Sequence, residues 1–182
     1  MIKLTTPLKE EDVVKLKIGD RVLLTGKIYT ARDTAHKRLV ELIDKGEPTP
    51  IDLQGQVIYY VGPAPAKPGY AVGPAGPTTS VRMDPYTPKI LSKGVKAVIG
   101  KGNRTRPVVD AFKQYKAVYF VAIGGAAALI SKRIKSAKVV AHEDLGTEAI
   151  REMEVEDFPV IVANDANGGD LFQTGVSKYR KG

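Results

Sequence analysis

Apolar positions along the chain switch repeatedly between a strand-like and a helix-like spacing. Residues 21–29 (R-V-L-L-T-G-K-I-Y) are rich in branched and aromatic side chains and predict a strand. Residues 34–43 then place Leu39, Leu42 and Ile43 at helical spacing and stop at Gly46, as a helix does. A proline-containing loop over 46–52 leads to a second strand at 57–61, V-I-Y-Y-V. Upstream, Thr5-Thr6-Pro7 followed by Lys9-Glu10-Glu11-Asp12 reads as the capped entry to a short helix ending near Gly19. Beyond a long Pro/Gly segment at 62–77 the alternation becomes regular. Helices are expected at 79–93, 107–115 and 126–134, and strands at 97–99, 117–123, 139–141 and 158–163. A Gly/Asn/Asp loop and a basic tail, Lys178-Tyr179-Arg180-Lys181, follow. Strands and helices joined in turn by short loops predict an α/β layer arrangement with a partly parallel sheet, formed as one domain over 1–182.

Composition narrows the chemistry. The chain has 182 residues and no cysteine, so disulfides, a cysteine-type zinc site and an iron–sulfur cluster built from this chain alone are excluded. His36 and His142 are its two histidines, too few for a histidine-rich metal site. No apolar run reaches the roughly 20 residues of a membrane span, and Met1-Ile2-Lys3-Leu4 does not resemble a signal peptide, which predicts a cytoplasmic protein. The net charge of +8 invites a nucleic-acid reading. The basic residues are dispersed, however, and the 8 tyrosines and 4 phenylalanines form no stacking stripe. Attraction of a dianionic metabolite or an acidic partner subunit accounts for the charge equally well.

Five clusters stand out as candidates for chemistry. Arg32-Asp33 with His36-Lys37-Arg38 sits where a strand passes into a helix, the mouth at which open α/β sheets bind ligands. The bland reading is a capped surface helix with solvated charges. Gly73 to Arg82 presents a Gly/Pro turn, the hydroxyl pair Thr78-Thr79, and Arg82 about one turn on; at a helix N-terminus this is an anion site. A simple cap would use one hydroxyl and leave Arg82 unexplained. Gly100-Lys101-Gly102-Asn103-Arg104-Thr105-Arg106 follows a strand and lacks the P-loop spacing, yet its glycines let a ligand approach beside the lysine; a plain turn is the alternative. Gly124-Gly125-Ala126-Ala127-Ala128 lacks a dinucleotide fingerprint and reads as close helix–sheet packing. His142-Glu143-Asp144 fits no zinc motif and reads as structural.

Three ordered motifs, T-A-R-D-T-A-H-K-R-L (30–39), G-P-T-T-S-V-R-M-D (76–84) and G-K-G-N (100–103), closely resemble the iron–sulfur hydro-lyases of the class I fumarase and tartrate dehydratase group. The match is to their β subunit, equivalent to the C-terminal domain of single-chain members, over nearly the whole chain. The resemblance implies a swivelling β/β/α domain, its mixed, partly parallel sheet flanked by helices, closing over a catalytic α subunit in a hetero-oligomer of the α2β2 kind. It implies reversible hydration of fumarate to L-malate, with the [4Fe-4S] cluster on the α subunit and none of its ligands here. By the same resemblance Arg32, Thr78, Thr79, Arg82 and Lys101 bind the dicarboxylate. His36 is then an acid/base candidate, or a residue that only orients substrate, since the main base belongs to the α subunit. Tartrate dehydratases share these motifs and are the alternative; a non-enzymatic module binding an anion or nucleic acid, and a stand-alone enzyme using His36 as base with no cluster, are the remaining readings.

Overall fold

The computed structural model describes residues 1–122 and 127–179. Its centre is three consecutive parallel strands, β3 (Val57–Tyr59), β4 (Ala97–Gly100) and β5 (Val118–Ala122). They are short runs of apolar residues without alternation because both faces are buried. Val57, Tyr59, Val61, Ala97, Ile99, Val118 and Phe120 enter one core. The residues between them, Ile58, Tyr60, Val98 and Tyr119, enter a second.

The remaining strands explain why there are two cores. Strand β2 (Arg21–Thr30) pairs parallel with β1 (Ile2–Thr5) along its first half and with β3 at its end. Its other edge runs antiparallel to β7 (Ile150–Asn164), which also pairs with β5 and with β6 (Ile134–Ala141). The pairings β2–β3–β4–β5–β7–β2 therefore close on themselves, with β1 and β6 outside the ring. The first core fills this barrel, where Leu24, Ile28, Val155, Phe158 and Val160 meet the central strands. The second lies beneath the helices. It takes Ala35 and Leu39 from α2 (Asp33–Asp44), Ile90 and Leu91 from α3 (Thr87–Ser92), and Val108, Ala111 and Phe112 from α4 (Arg106–Gln114). Full burial of a Val, Leu or Phe side chain is worth about 1.5–3 kcal/mol, so each of these helices is held mainly by its apolar stripe. The result is an α/β fold with a mixed sheet flanked by helices, as expected.

Several boundaries differ from expectation. The helix expected between Thr5 and Gly19 is only α1 (Glu10–Val13). Its would-be cap, Thr6, instead donates its hydroxyl to the Lys27 carbonyl at 2.6 Å, joining the end of β1 to β2. The helix expected over 79–93 divides into a 3₁₀ turn, Ser80–Met83, and α3. A continuous helix would have lacked the N–H groups of Pro85 and Pro88. The helix expected at 126–134 is α5 (Ala127–Ser131), after which Ile134 already belongs to β6. Beyond the final loop the tail is helical in α6 (Leu171–Tyr179). Gly124, Gly125, Ala126, Arg180 and Lys181 lie outside the described residues. Among the described residues, no helix is long and apolar enough to cross a membrane.

Candidate functional site

The carboxyl ends of β2, β3 and β4 open toward one side of the sheet, and each delivers one of the clusters singled out from sequence. Strand β2 ends at Thr30 and passes through Ala31 into α2, with Arg32 as the extended residue before the first helical turn. Strand β3 leads into the Pro/Gly segment, which returns so that the Thr78 N–H donates to the Tyr60 carbonyl at 2.7 Å. Thr79 then bridges in parallel to Lys101 at the end of β4, and the Ser80 N–H donates to the Lys101 carbonyl at 2.9 Å. The loop is thus an extra strand-like rung on the sheet edge. The N–H groups of Thr78 and Ser80 are consumed by this pairing, and the helix that follows is a single 3₁₀ turn. A helix N-terminal anion site is therefore not what this loop forms. What it offers is hydroxyls: neither the Thr78 nor the Thr79 hydroxyl hydrogen-bonds to another described residue, and Thr79 is exposed.

The close packing here depends on Gly100. A methyl group at that position would overlap Ser80 Oγ and come within 2.8 Å of the Tyr60 ring. Glycine at the end of β4 lets the Thr79–Ser80 rung lie against the strand. Gly62 plays a similar part for Arg32, because a methyl there would sit 3.1 Å from the Arg32 Nη1 atom.

Arg82 turns back to α2. Its guanidinium holds Asp33 Oδ2 through Nε at 2.9 Å and Nη2 at 2.7 Å, with 51% of the arginine side chain exposed. This pair joins the second motif to the first, as the Thr79–Lys101 bridge joins it to the third. Arg32 is left with an unused donor: its buried Nε makes no hydrogen bond, and its ion-pair partner, Glu148, is distant at 3.9 Å. Lys101 is exposed and forms no ion pair among the described residues. One edge of the sheet thus carries a half-buried arginine with a free donor, an exposed ammonium, two hydroxyls and a second arginine. Such a set matches a small ligand with two carboxylates through charge-assisted hydrogen bonds.

His36 is placed differently from the rest. It is fully buried, edge-on to Tyr60 with ring centroids 5.3 Å apart and tilted against Tyr86 at 6.2 Å. Its Nδ1 lies 2.8 Å from the Arg32 carbonyl, which makes Nδ1 the protonated nitrogen, while Nε2 is buried without a partner. Burial, reinforced by the nearby Arg104 charge, lowers its pKa to about 4 despite the hydrogen bond to Arg32. The ring is neutral at pH 7, and in this conformation it presents no nitrogen to a ligand. It secures the turn from which Arg32 projects.

Beneath the loops lies a polar cluster to which the sequence reading assigned no role. Arg104, its side chain wholly buried, donates Nε to Asp84 Oδ1 at 2.6 Å and Nη2 to Thr87 Oγ1 at 2.8 Å and Tyr60 OH at 3.3 Å. Its guanidinium carbon lies 4.8 Å from the centre of the Tyr119 ring and 5.3 Å from that of Tyr60. Burial opposes the charge, but Tyr60, Asp84 and Tyr119 outweigh it and hold the pKa above the ordinary arginine value. The other Asp84 oxygen accepts the Thr105 N–H at 2.7 Å, ahead of α4. Tyr119 OH lies 2.8 Å from Ser80 Oγ and donates to the Gly102 carbonyl at 2.7 Å. A signal was available: a tyrosine inside a strand buried on both faces must find a partner for its hydroxyl.

The chain lacks cysteine, and among the described residues no three His, Asp or Glu side chains are grouped to hold a metal ion. The residues present do not fit an iron–sulfur cluster.

Comparison with known proteins gives the family. The chain is 41% identical over 181 residues to "Fumarate hydratase class I, anaerobic" of Escherichia coli (strain K12), covering 97% of this chain and 33% of that protein. It is 43% identical over 157 residues to "Fumarate hydratase 2" of Leishmania major, covering 85% of this chain and 28% of that protein. It thus spans about a third of the length of these fumarate hydratases. A third relative, "Putative L(+)-tartrate dehydratase subunit beta" of Methanocaldococcus jannaschii, is 39% identical over 172 residues, covering 91% of this chain and 88% of that protein. The family described as Fumarase C-terminus matches residues 1–175, and the chain belongs to that family.

Proposed function

We propose that this chain is the β subunit of a two-chain hydro-lyase that hydrates fumarate reversibly to L-malate, and that it supplies the dicarboxylate-binding half of a shared active site. The observation that carries this reading is the tying together of three motifs at one sheet edge, through Arg82–Asp33 and Thr79–Lys101. The [4Fe-4S] cluster of the reaction belongs to a partner α subunit, since this chain has no cysteine to hold it, and the assembly is of the α2β2 kind. The domain formed by residues 1–182 swivels to close over that partner.

Within the site, Arg32 and Lys101 take one carboxylate each, and the Thr78 and Thr79 hydroxyls donate to the oxygens between them. Arg82 has further N–H donors beyond the two that hold Asp33, so it can add a bond to the same ligand without leaving its pair. Each charge-assisted hydrogen bond contributes about 1.5–3 kcal/mol. Together these groups hold the substrate in one orientation, which is where proximity contributes to the rate. His36 acts as a positioning residue: neutral and sealed, it fixes the Arg32 carbonyl and with it the start of α2. The proton removed from carbon is handled on the partner.

Dehydration of L-tartrate is the second reading, favoured by the match over 88% of the relative named "Putative L(+)-tartrate dehydratase subunit beta". One experiment separates these readings and tests the first. The chain is combined anaerobically with a cluster-bearing α subunit of this family, and turnover of fumarate, L-malate and L-tartrate is followed. The complex should hydrate fumarate while this chain alone does not; turnover by the single chain without iron contradicts the proposal.

A further inference from the structure

The loops bearing Thr78, Thr79 and Lys101 are joined at both ends. Their near ends meet in the Thr79–Lys101 bridge and the Ser80 N–H to Lys101 carbonyl bond. Their far ends meet in the buried Asp84–Arg104 pair, since Asp84 follows the threonine segment and Arg104 follows Lys101. Between the two ties Tyr119 reaches up from β5 to contact Ser80 of one loop and Gly102 of the other. A lysine side chain is long and flexible, so its ammonium is only as well placed as the backbone beneath it. An ion pair buried this deeply adds little net stability compared with apolar packing, because desolvation offsets most of the attraction. Its directional bonds do something apolar packing cannot: they fix the two loops, Thr87 of α3 and the Thr105 N–H ahead of α4 in a single register.

We infer that Asp84, Arg104 and Tyr119 are positioning residues for the dicarboxylate site, holding Lys101 in register with the Thr78–Thr79 hydroxyls. The inference rests on the reading of those residues as the dicarboxylate clamp. None of the three touches the substrate; they act through the loop backbone.

The test uses the complex with its α subunit and compares Tyr119→Phe and Asp84→Asn with a control in the barrel interior, Ile28→Val. Tyr119→Phe removes one oxygen, so it decides the matter even where Asp84→Asn fails to fold. Both site variants should raise KM for the dicarboxylate roughly tenfold, as a displaced binding group does, with kcat changed less than about twofold. Ile28→Val should lower thermal stability and leave KM alone. Amide hydrogen exchange at Ser80, whose N–H is bonded to the Lys101 carbonyl, gives a readout free of substrate. It should speed up in Tyr119→Phe and Asp84→Asn and stay unchanged in Ile28→Val. A KM within twofold of the unmodified complex, or unchanged exchange at Ser80, overturns the inference. An unmodified complex inactive on every dicarboxylate defeats the hydro-lyase reading instead, and the exchange measurement still decides whether the loops are tied.

Discussion

Arg104–Asp84 and Arg82–Asp33 are the same chemical pair, and Asp84 and Arg82 stand two residues apart in one loop, yet burial gives them opposite uses. The first has side chains 0% and 6% exposed, extra bonds to Thr87 and Tyr60, and aromatic rings on its faces. The second is 51% and 30% exposed and keeps its free donors toward solvent. In water an arginine–carboxylate pair contributes from nothing to about 1 kcal/mol, so Arg82 can share its guanidinium with an incoming carboxylate at little cost. In the interior the charges cannot part, because either one left alone would be unpaired and dry. Under the proposed function, one pair builds the frame and the other belongs to the site that the frame presents.

Breaking the buried pair should have the largest effect. Asp84→Ala strands the Arg104 charge and should lower unfolding stability by about 3–5 kcal/mol, measured by urea titration. Replacing both partners with apolar residues of similar size, Asp84→Leu with Arg104→Met, should restore most of that stability without restoring a low KM. Recovery of both would mean that the pair has no geometric role.

A second effect concerns His36. Its folded pKa of about 4 lies below its unfolded value near 6.5, so the unfolded chain binds the extra proton first. Stability is therefore full above pH 6.5 and falls as the pH drops toward 4, by up to about 3 kcal/mol over that window. His36→Gln should flatten this slope in urea titrations at pH 7.0 and pH 4.5. An unaltered slope would show that the ring is not held neutral.

Gly100→Ala comes next. The added methyl meets Ser80 Oγ and should cost about 1–3 kcal/mol through overpacking, with the Thr79–Lys101 rung pushed off the strand. The smallest stability change is expected at the exposed pair. Arg82→Ala should shift unfolding by less than about 1 kcal/mol while weakening the dicarboxylate KM, the reverse of the balance at the buried pair.

The parallel strands and the helices over them were legible because burial on both faces leaves unbroken apolar runs and because α2 and α4 carry clear apolar stripes. The first half of β7 was not. Its I-R-E-M-E-V-E-D stretch is rich in charge, and its register against β6 shifts, so neither composition nor a clean alternation marks it. Strand β1 was obscured by Thr5-Thr6-Pro7, whose hydroxyls suggest a helix cap when read locally; Thr6 bonds Lys27, 21 residues away. The same divide holds at the site. Arg32, Thr78, Thr79, Arg82 and Lys101 stand in short motifs with glycine, proline and hydroxyl neighbours. Asp84, Arg104 and Tyr119 act through contacts between segments distant in sequence, which local patterns do not record.

The central claim is that this chain binds the dicarboxylate for chemistry completed on a partner, and Lys101→Met in the reconstituted complex tests it most directly. Loss of one charge-assisted hydrogen bond should raise KM for fumarate about 10- to 100-fold, with subunit assembly and cluster content unchanged. A variant complex with the KM of the unmodified one would contradict it.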